Sequence, residues 1–375
     1  MTMTLTPVLL ALAVTASPQE PIKVGALMSV TGPAAFLGAP EARTLEMLVE
    51  DLNAKGGVGG RKLQLVVKDT GGDPAKAISF AKQLIEEEQV FAIIGPPTSG
   101  ETMAVKPIAQ ESRTLLLSCA AAEAIVNPLA PWVFKTAQKD SHAIVKLFQQ
   151  MKKMGTTRIG LLSSNTGFGK AGKEQIAKLA PEHGIQIAAD EVYDKAATDL
   201  TAEVTKVKAA NVQAILNWSI EPAQAIVIKN ARQVGFTGPI FQSHGFANIQ
   251  YVKAAGAAAE GVLFPASRVI VAEALPEKHP QKAVVVAYKR AYEARYGEDV
   301  SAFGGYAHDA LGLLVRAIGQ VGPDKEKVRA AVEGMKGFVG TAGVFNFSPT
   351  DHNGLDLDAF EMMTVKDGKF VLLAK

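Results

Sequence analysis

Residues 22–67 read IKVGALMSVTGPAAFLGAPEARTLEMLVEDLNAKGGVGGRKLQLVV, and this stretch decides the fold. Ile22–Leu27 is an apolar run of strand length. Leu45, Leu48, Val49 and Leu52 then fall at i, i+3, i+4 and i+7, the spacing that lines one face of a helix. Asn53-Ala54-Lys55-Gly56-Gly57 closes that helix with glycine, for which a left-handed backbone is cheap. Leu63–Val67 is the next strand. Strand, helix and strand in this order form a βαβ crossover, which makes the two strands parallel.

The alternation continues outward. A helix from Pro74 carries Ala77, Ile78, Ala81, Leu84 and Ile85 on one face, followed by a strand at Val90–Ile94, a helix from Ser99 to about Gln110 and a strand at Thr114–Leu117. The pattern restarts after a helix near Ala143–Met154. Strands at Arg158–Leu162, Ile185–Val192, Val212–Asn217 and Pro239–Gln242 alternate with helices starting near Gly169, Asp199 and Pro222, and Gly261–Phe264 is a further strand. Two long helices follow, one with Val285, Tyr288, Tyr292 and Tyr296 along it, the other with Ala310, Leu311, Leu314 and Ile318. Leu357–Thr364 and Lys369–Leu373 around Asp367-Gly368 read as an antiparallel finish. The expected fold is α/β with two Rossmann-like halves. Ligands in such sheets sit at the carboxyl ends of the strands.

The chain has 375 residues, 39 Lys+Arg against 37 Asp+Glu, and 48% hydrophobic residues. That length suits two domains. Near-neutral charge without basic blocks argues against nucleic acid as a partner. The single cysteine, Cys119, excludes an internal disulfide and a multi-thiolate metal site. Residues 1–19 contain an apolar run from Leu5 to Ala16 followed by small residues at Val14–Ser17, the pattern of a signal peptide too short to span a bilayer. Export to the periplasm is expected, with a mature terminus near Ser17–Glu20.

Enzyme motifs are sparse. Gly167-Phe168-Gly169-Lys170-Ala171-Gly172 matches the dinucleotide-binding G-x-G-x-x-G, and Asp190 lies on the following strand. Four polar residues, Ser163 to Thr166, separate that motif from its strand, whereas a pyrophosphate loop turns at once. Glu174 stands where a P-loop would need Ser or Thr for magnesium. His142, His183, His279 and His352 lie on polar segments and are expected to face solvent. His308-Asp309 is expected to open a helix as a packing or capping pair, and Cys119 to be a buried, inert thiol. No catalytic constellation, cofactor or metal site emerges, which favours a binding function. The alternative is a dinucleotide-dependent oxidoreductase using the Gly167–Gly172 loop.

Several segments are more specific in combination: Ile22-Lys23-Val24-Gly25, Gly32-Pro33, Gly38, Asp51 to Val58, Asp69, Asp73-Pro74, Ile94-Gly95-Pro96 with Ser99, Ser118 to Ala122, Gly167-Phe168-Gly169 and Glu260-Gly261-Val262. Across residues 21–375 the chain resembles the leucine/isoleucine/valine-binding family, the type I periplasmic solute receptors of branched-chain-amino-acid-type ABC transporters. The resemblance implies two lobes joined by three hinge crossings, with lobe 1 at 21–139 plus 268–338 and lobe 2 at 140–267 plus 339–375. It also implies a monomer that binds a small molecule between the lobes and presents it to a membrane permease.

Carried over by resemblance, Thr98, Ser99, Ala120 and Ala122 form the carboxylate site, and Leu37 (or Phe36) a first-lobe contact. Phe168 closes from the second lobe, and Trp218 and Ile220 stand at another contact. The physical reading agrees for Ser99, expected to cap a helix N-terminus where a hydroxyl and free N–H groups hold an anion. Trp218 has the second-lobe core as its alternative, and Tyr306 reaches the pocket or packs its helix. The departure is His244, where amino-acid binders of the family carry a glutamate for the ligand ammonium. Histidine supplies no fixed negative charge, so a carboxylate without an amine is the expected ligand. Asp140, near the hinge, is the one acid placed to replace that glutamate.

Overall fold

The computed structural model describes residues 19–374, so the signal-peptide expectation falls almost wholly outside the described residues. The first half runs β1 (Ile22–Met28), α1 (Ala35–Ala54), β2 (Leu63–Asp69), α2 (Pro74–Lys82), β3 (Ala92–Ile94), α3 (Ser99–Glu111), β4 (Leu115–Ser118) and β5 (Val133–Lys135). Its strands form one parallel sheet in the order β2-β1-β3-β4-β5. Helices cover both faces, so its central strands are buried on both sides: Val24, Ala26, Ile93, Ile94, Leu116 and Leu117 are all inaccessible.

The second half begins with α4 (Asp140–Lys153) and continues β6 (Arg158–Ser164), α5 (Gly167–Leu179), β7 (Gln186–Tyr193), α6 (Thr201–Ala209), β8 (Ala214–Trp218), α7 (Ala223–Gln233), β9 (Ile240–Gln242), α8 (Ile249–Ala255) and β10 (Leu263–Ala266). After α9 (Lys282–Tyr296), α10 (Ala302–Val321) and α11 (Lys325–Glu333), a small ribbon of β11 (Phe338–Val339) and β12 (Val344–Phe345) precedes the hairpin β13 (Glu361–Lys366) and β14 (Lys369–Leu372). The second sheet has the order β14-β13-β10-β9-β8-β6-β7, antiparallel only at the β13–β14 end. Asp367 and Gly368 turn that hairpin with φ of 53° and 69°, as their pairing in the sequence predicts. The first residues of the expected finishing strand differ, since Leu357–Ala359 is a short 3-10 turn.

α10 returns to the first lobe and packs along α1. The passages between lobes lie side by side and are stitched together. Gln138 Nε2 donates to the carbonyls of Ala342 (2.8 Å) and Ala359 (3.3 Å), and Asn353 Nδ2 donates to that of Ala137 (2.8 Å). Asp309, well inside α10 rather than at its start, accepts the N–H groups of Thr341 (2.7 Å) and Ala342 (2.8 Å).

One stretch departs from the expected division. Residues 344–353, assigned by sequence to lobe 2, run along β5 of the first sheet. Phe347 packs on Phe134, and the Lys135 N–H donates to the His352 carbonyl at 3.1 Å. His352 is therefore not solvent-facing but fully buried. Its ring stacks on Phe134 at 3.8 Å, with Nδ1 2.9 Å from the Val133 carbonyl and Nε2 3.2 Å from Glu333. The cause is the exposed edge of β5, whose apolar side chains and open backbone groups this segment covers. No described helix is long and apolar enough to cross a membrane.

Candidate functional site

The carboxyl ends of both sheets meet at a cleft. Its inner part is a small chamber of about 20 Å³, walled by Leu37, Ser99, Cys119, Phe168, His244 and Tyr306 among others. That volume holds only one or two waters. Above it lies a mouth of about 310 Å³ reaching Thr98, Thr166, Lys195 and Glu221. Phe168 and Ile220 belong to both walls. Together they form the partition, and rotation of the Phe168 ring would join chamber and mouth.

The residues expected to hold an anion lie beside one another, with one change of role. Thr98, not Ser99, caps α3, its Oγ1 accepting the Glu101 N–H at 3.3 Å. Ser99 is the first helical residue, and its Oγ accepts the Ala122 N–H at 3.1 Å. The Ala120 N–H is held by Ser118 Oγ, also at 3.1 Å. Both amides have protein partners, therefore, and a carboxylate must share or displace those bonds. Ala120 and Ala122 pack among Val105 and Ala109 of α3, while Cys119 and Ala121 face the chamber. An extended loop alternates its side chains, so residues one position apart face opposite ways. That alternation is the signal that could have picked Cys119 and Ala121 from the sequence.

Leu37, rather than Phe36, lines the chamber. The Phe36 ring packs edge-on against Tyr251 at 5.1 Å, and its carbonyl accepts from Asn248 Nδ2 at 2.8 Å, a contact between lobes. Tyr306 reaches the chamber wall and donates its hydroxyl to Gln138 Oε1 at 3.0 Å. Trp218 is fully buried behind the wall, stacked on Phe168 at 5.4 Å, and so braces that ring. Gly172 on α5 makes room for it: a Cβ there would stand 1.9 Å from Trp218 Nε1. The motif's other candidate partner, Asp190, pairs with Lys173 at 2.9 Å. These glycines and this acid thus have packing roles that owe nothing to a dinucleotide.

His244 lies on a short turn, His244–Phe246, after β9. Phe168, Trp218 and Phe360 surround its ring at 5.4–5.6 Å, each edge-to-face. Burial, with the nearby Lys135 charge, pushes its pKa down to about 3, so the imidazole is neutral. Neither ring nitrogen has a hydrogen-bond partner among the described residues.

Lys135 and Glu41, two buried ionisable groups, were missed in the sequence. Lys135, at the end of β5, has no accessible surface; its Nζ donates to the carbonyls of Ala121 and Gln138. It faces Asp140 electrostatically: burial lowers the lysine and raises the carboxyl, and each charge opposes the shift of the other. The two groups form no salt bridge, however, and neither Asp140 oxygen has a hydrogen-bond partner among the described residues. Glu41 is also fully buried, and burial, with Glu101 nearby, raises its carboxyl well above the ordinary range. It precedes Leu45 by four residues, so extending the apolar stripe of α1 backwards would have placed it inside. Nothing local in the sequence marks Lys135, whose ammonium is held by the carbonyls of Ala121 and Gln138.

Ser99→Ala removes the chamber's hydroxyl and strands the Ala122 N–H. Affinity should fall about one to two decades, the equivalent of a charge-assisted hydrogen bond worth ~1.5–3 kcal/mol. Calorimetric titration with the ligand checks this, and unchanged affinity would place the carboxylate elsewhere.

Comparison with known proteins agrees with this arrangement. The family model described as periplasmic binding protein matches residues 21–369. A leucine-, isoleucine-, valine-, threonine- and alanine-binding protein of Pseudomonas aeruginosa is 25% identical over 342 residues, covering 90% of this chain and 86% of its own. An extracellular ligand-binding receptor of Rhodopseudomonas palustris matches with a TM-score of 0.88 at 30% identity, covering 95% of this chain and 100% of that one. A branched-chain amino acid transporter substrate binding protein of Streptococcus pneumoniae, solved with isoleucine, matches at 0.81 and 26% identity, covering 93% and 97%. The chain belongs to the periplasmic binding protein family, as a solute receptor of the leucine/isoleucine/valine-binding type.

Proposed function

We propose that the protein is exported, holds a small carboxylate lacking an amine between its lobes, and delivers it as a monomer to an ABC permease. An aromatic or branched acid, such as benzoate or a 2-oxo acid, is the expected ligand, and the chamber must widen from about 20 Å³ to admit it. The observation that carries this reading is the neutral His244 in a chamber whose wall includes no Asp or Glu. A ligand ammonium enclosed there would lack an acidic partner, a cost of several kcal/mol. Asp140 lies outside that wall and is coupled electrostatically to Lys135. The hydrogen-bonded crossings between the lobes support a hinge, and closure around the ligand would be the state the permease recognises.

A second reading, an amino-acid receptor, is favoured by Glu221, which lines the mouth with its carboxylate held by the Ser219 hydroxyl at 2.6 Å. Relatives named for amino acids favour it too. A thermal-shift panel separates the two. A ligand at ~100 Kd adds ~2.7 kcal/mol, a rise of a few degrees in Tm. Benzoate or branched 2-oxo acids should produce that rise, and NADH should not. Stabilisation by leucine or valine without any by the simple acids would overturn the carboxylate reading, and stabilisation by NADH would revive the oxidoreductase.

A further inference from the structure

His244 differs from the other buried polar groups of the chamber in being tied to nothing. A neutral imidazole has one N–H donor and one lone-pair acceptor, and the tautomer is normally set by the hydrogen bond made at the nitrogen away from the ligand. Here Nδ1 and Nε2 both lack protein partners among the described residues. Around the ring stand Phe168, Trp218 and Phe360, whose faces are at best weak acceptors for an N–H. Ser99, by contrast, already receives the Ala122 N–H, and Tyr306 already donates to Gln138. His244 is thus the unsatisfied polar side chain in the chamber wall, on the opposite lobe from Ser99, while Trp218 Nε1 behind the wall also lacks a partner among the described residues.

We propose that the ligand carries an oxygen function besides its carboxylate, and that His244 accepts this group equally well as a hydroxyl or as a carbonyl. The inference rests on the carboxylate reading above and adds the second polar group to it. With no protein partner pinning the tautomer, the ring turns its lone pair toward a hydroxyl or its N–H toward a carbonyl. A parent acid without that oxygen leaves the buried nitrogen unpaired, which a buried polar site penalises. The receptor therefore discriminates strongly for the presence of the oxygen and weakly for its oxidation state. A glutamate in the same place would reverse this, since an ionised carboxylate accepts but does not donate.

The test is calorimetric titration of the full chain with triplets on one carbon skeleton. One triplet is 4-methylpentanoate with its 2-hydroxy and 2-oxo derivatives; the other is benzoate with 4-hydroxybenzoate and 4-formylbenzoate. In whichever skeleton binds, both oxygenated acids should bind about tenfold or more tightly than the parent, and within a few-fold of each other. His244→Phe should erase the gap between parent and derivatives. His244→Asn, whose amide keeps a donor and an acceptor, should retain part of it, which also guards against a folding defect in the first variant. Equal affinity for parent and derivatives, or a preference of more than tenfold between hydroxyl and carbonyl, overturns the proposal while leaving the carboxylate reading intact. Binding of leucine with no response to any of these acids removes the carboxylate reading itself, and the inference with it.

Discussion

Lys135→Met should cost the fold up to about 3–5 kcal/mol, the range seen when a buried charge loses its compensating opposite charge. Lys135 and Asp140 make no direct salt bridge but are coupled through space. The variant leaves Asp140 buried without its counter-charge, and the carbonyls of Ala121 and Gln138 without the ammonium that now binds them. Lys135→Met combined with Asp140→Leu should recover much of that loss, because an apolar pair needs no compensation. The single variant's deficit also depends on pH. Burial raises the Asp140 carboxyl, so the lone acid takes up a proton on folding. Its neutral form persists below the unfolded pKa, and stability is lost as pH rises through the folded value. The deficit is therefore smaller at pH 5 than at pH 8. Urea unfolding of the three proteins at both pH values checks this. A single variant within about 1 kcal/mol of wild type at pH 8 would mean that Lys135 and Asp140 are not coupled.

Gly167→Val should weaken ligand binding by roughly 5- to 150-fold with little change in the unfolding of the ligand-free protein. Gly167 opens α5 in the second lobe, and a Cβ on it would stand 2.7 Å from the Gly100 Cα on α3 of the first. The two helix ends approach this closely because Gly167 has no side chain; a Cβ on Gly100 would make only ordinary contacts, at 3.8 Å or more. Overpacking at such a contact costs about 1–3 kcal/mol. Here the cost falls on the closed arrangement alone, since separating the lobes relieves it. Affinity drops by the fraction of closed form lost. Gly319→Ala, on α10 with open space around its Cβ, is the control. Titration together with small-angle scattering reads both quantities. Unchanged affinity with unchanged compaction would show that the α3–α5 contact does not limit closure.

Much of the architecture is legible in the chain because its signals are local. The period of the side chains in 22–67 identifies strand, helix and strand without reference to anything distant, and short connections then dictate parallel pairing. The same holds for Asp367-Gly368, whose backbone preference specifies a tight turn by itself. Ser99 and His244 stand out in the sequence because loops after strands are where an α/β cleft forms. Resemblance supplied Leu37, Phe168, Ala120, Ala122 and Trp218, and the structure refines the facing of the last three.

Sequence alone therefore determined the two parallel-sheet lobes, the cleft between them and the residues that reach it from strand ends. Tertiary structure decided which atoms there are free. Ala120 and Ala122 differ from Cys119 and Ala121 only in the side of the loop they occupy, and their N–H groups are taken by Ser118 and Ser99. Trp218 became a brace for Phe168 because Gly172, forty-six residues earlier, leaves it space. His352 became buried because it belongs to a segment, more than two hundred residues after β5, that folds against that strand. Periodicity reports each residue's inward or outward side within its own element. Solvent access and hydrogen-bond partners depend on what other elements cover that side, and that is settled only when distant parts of the chain compete for the same apolar surface.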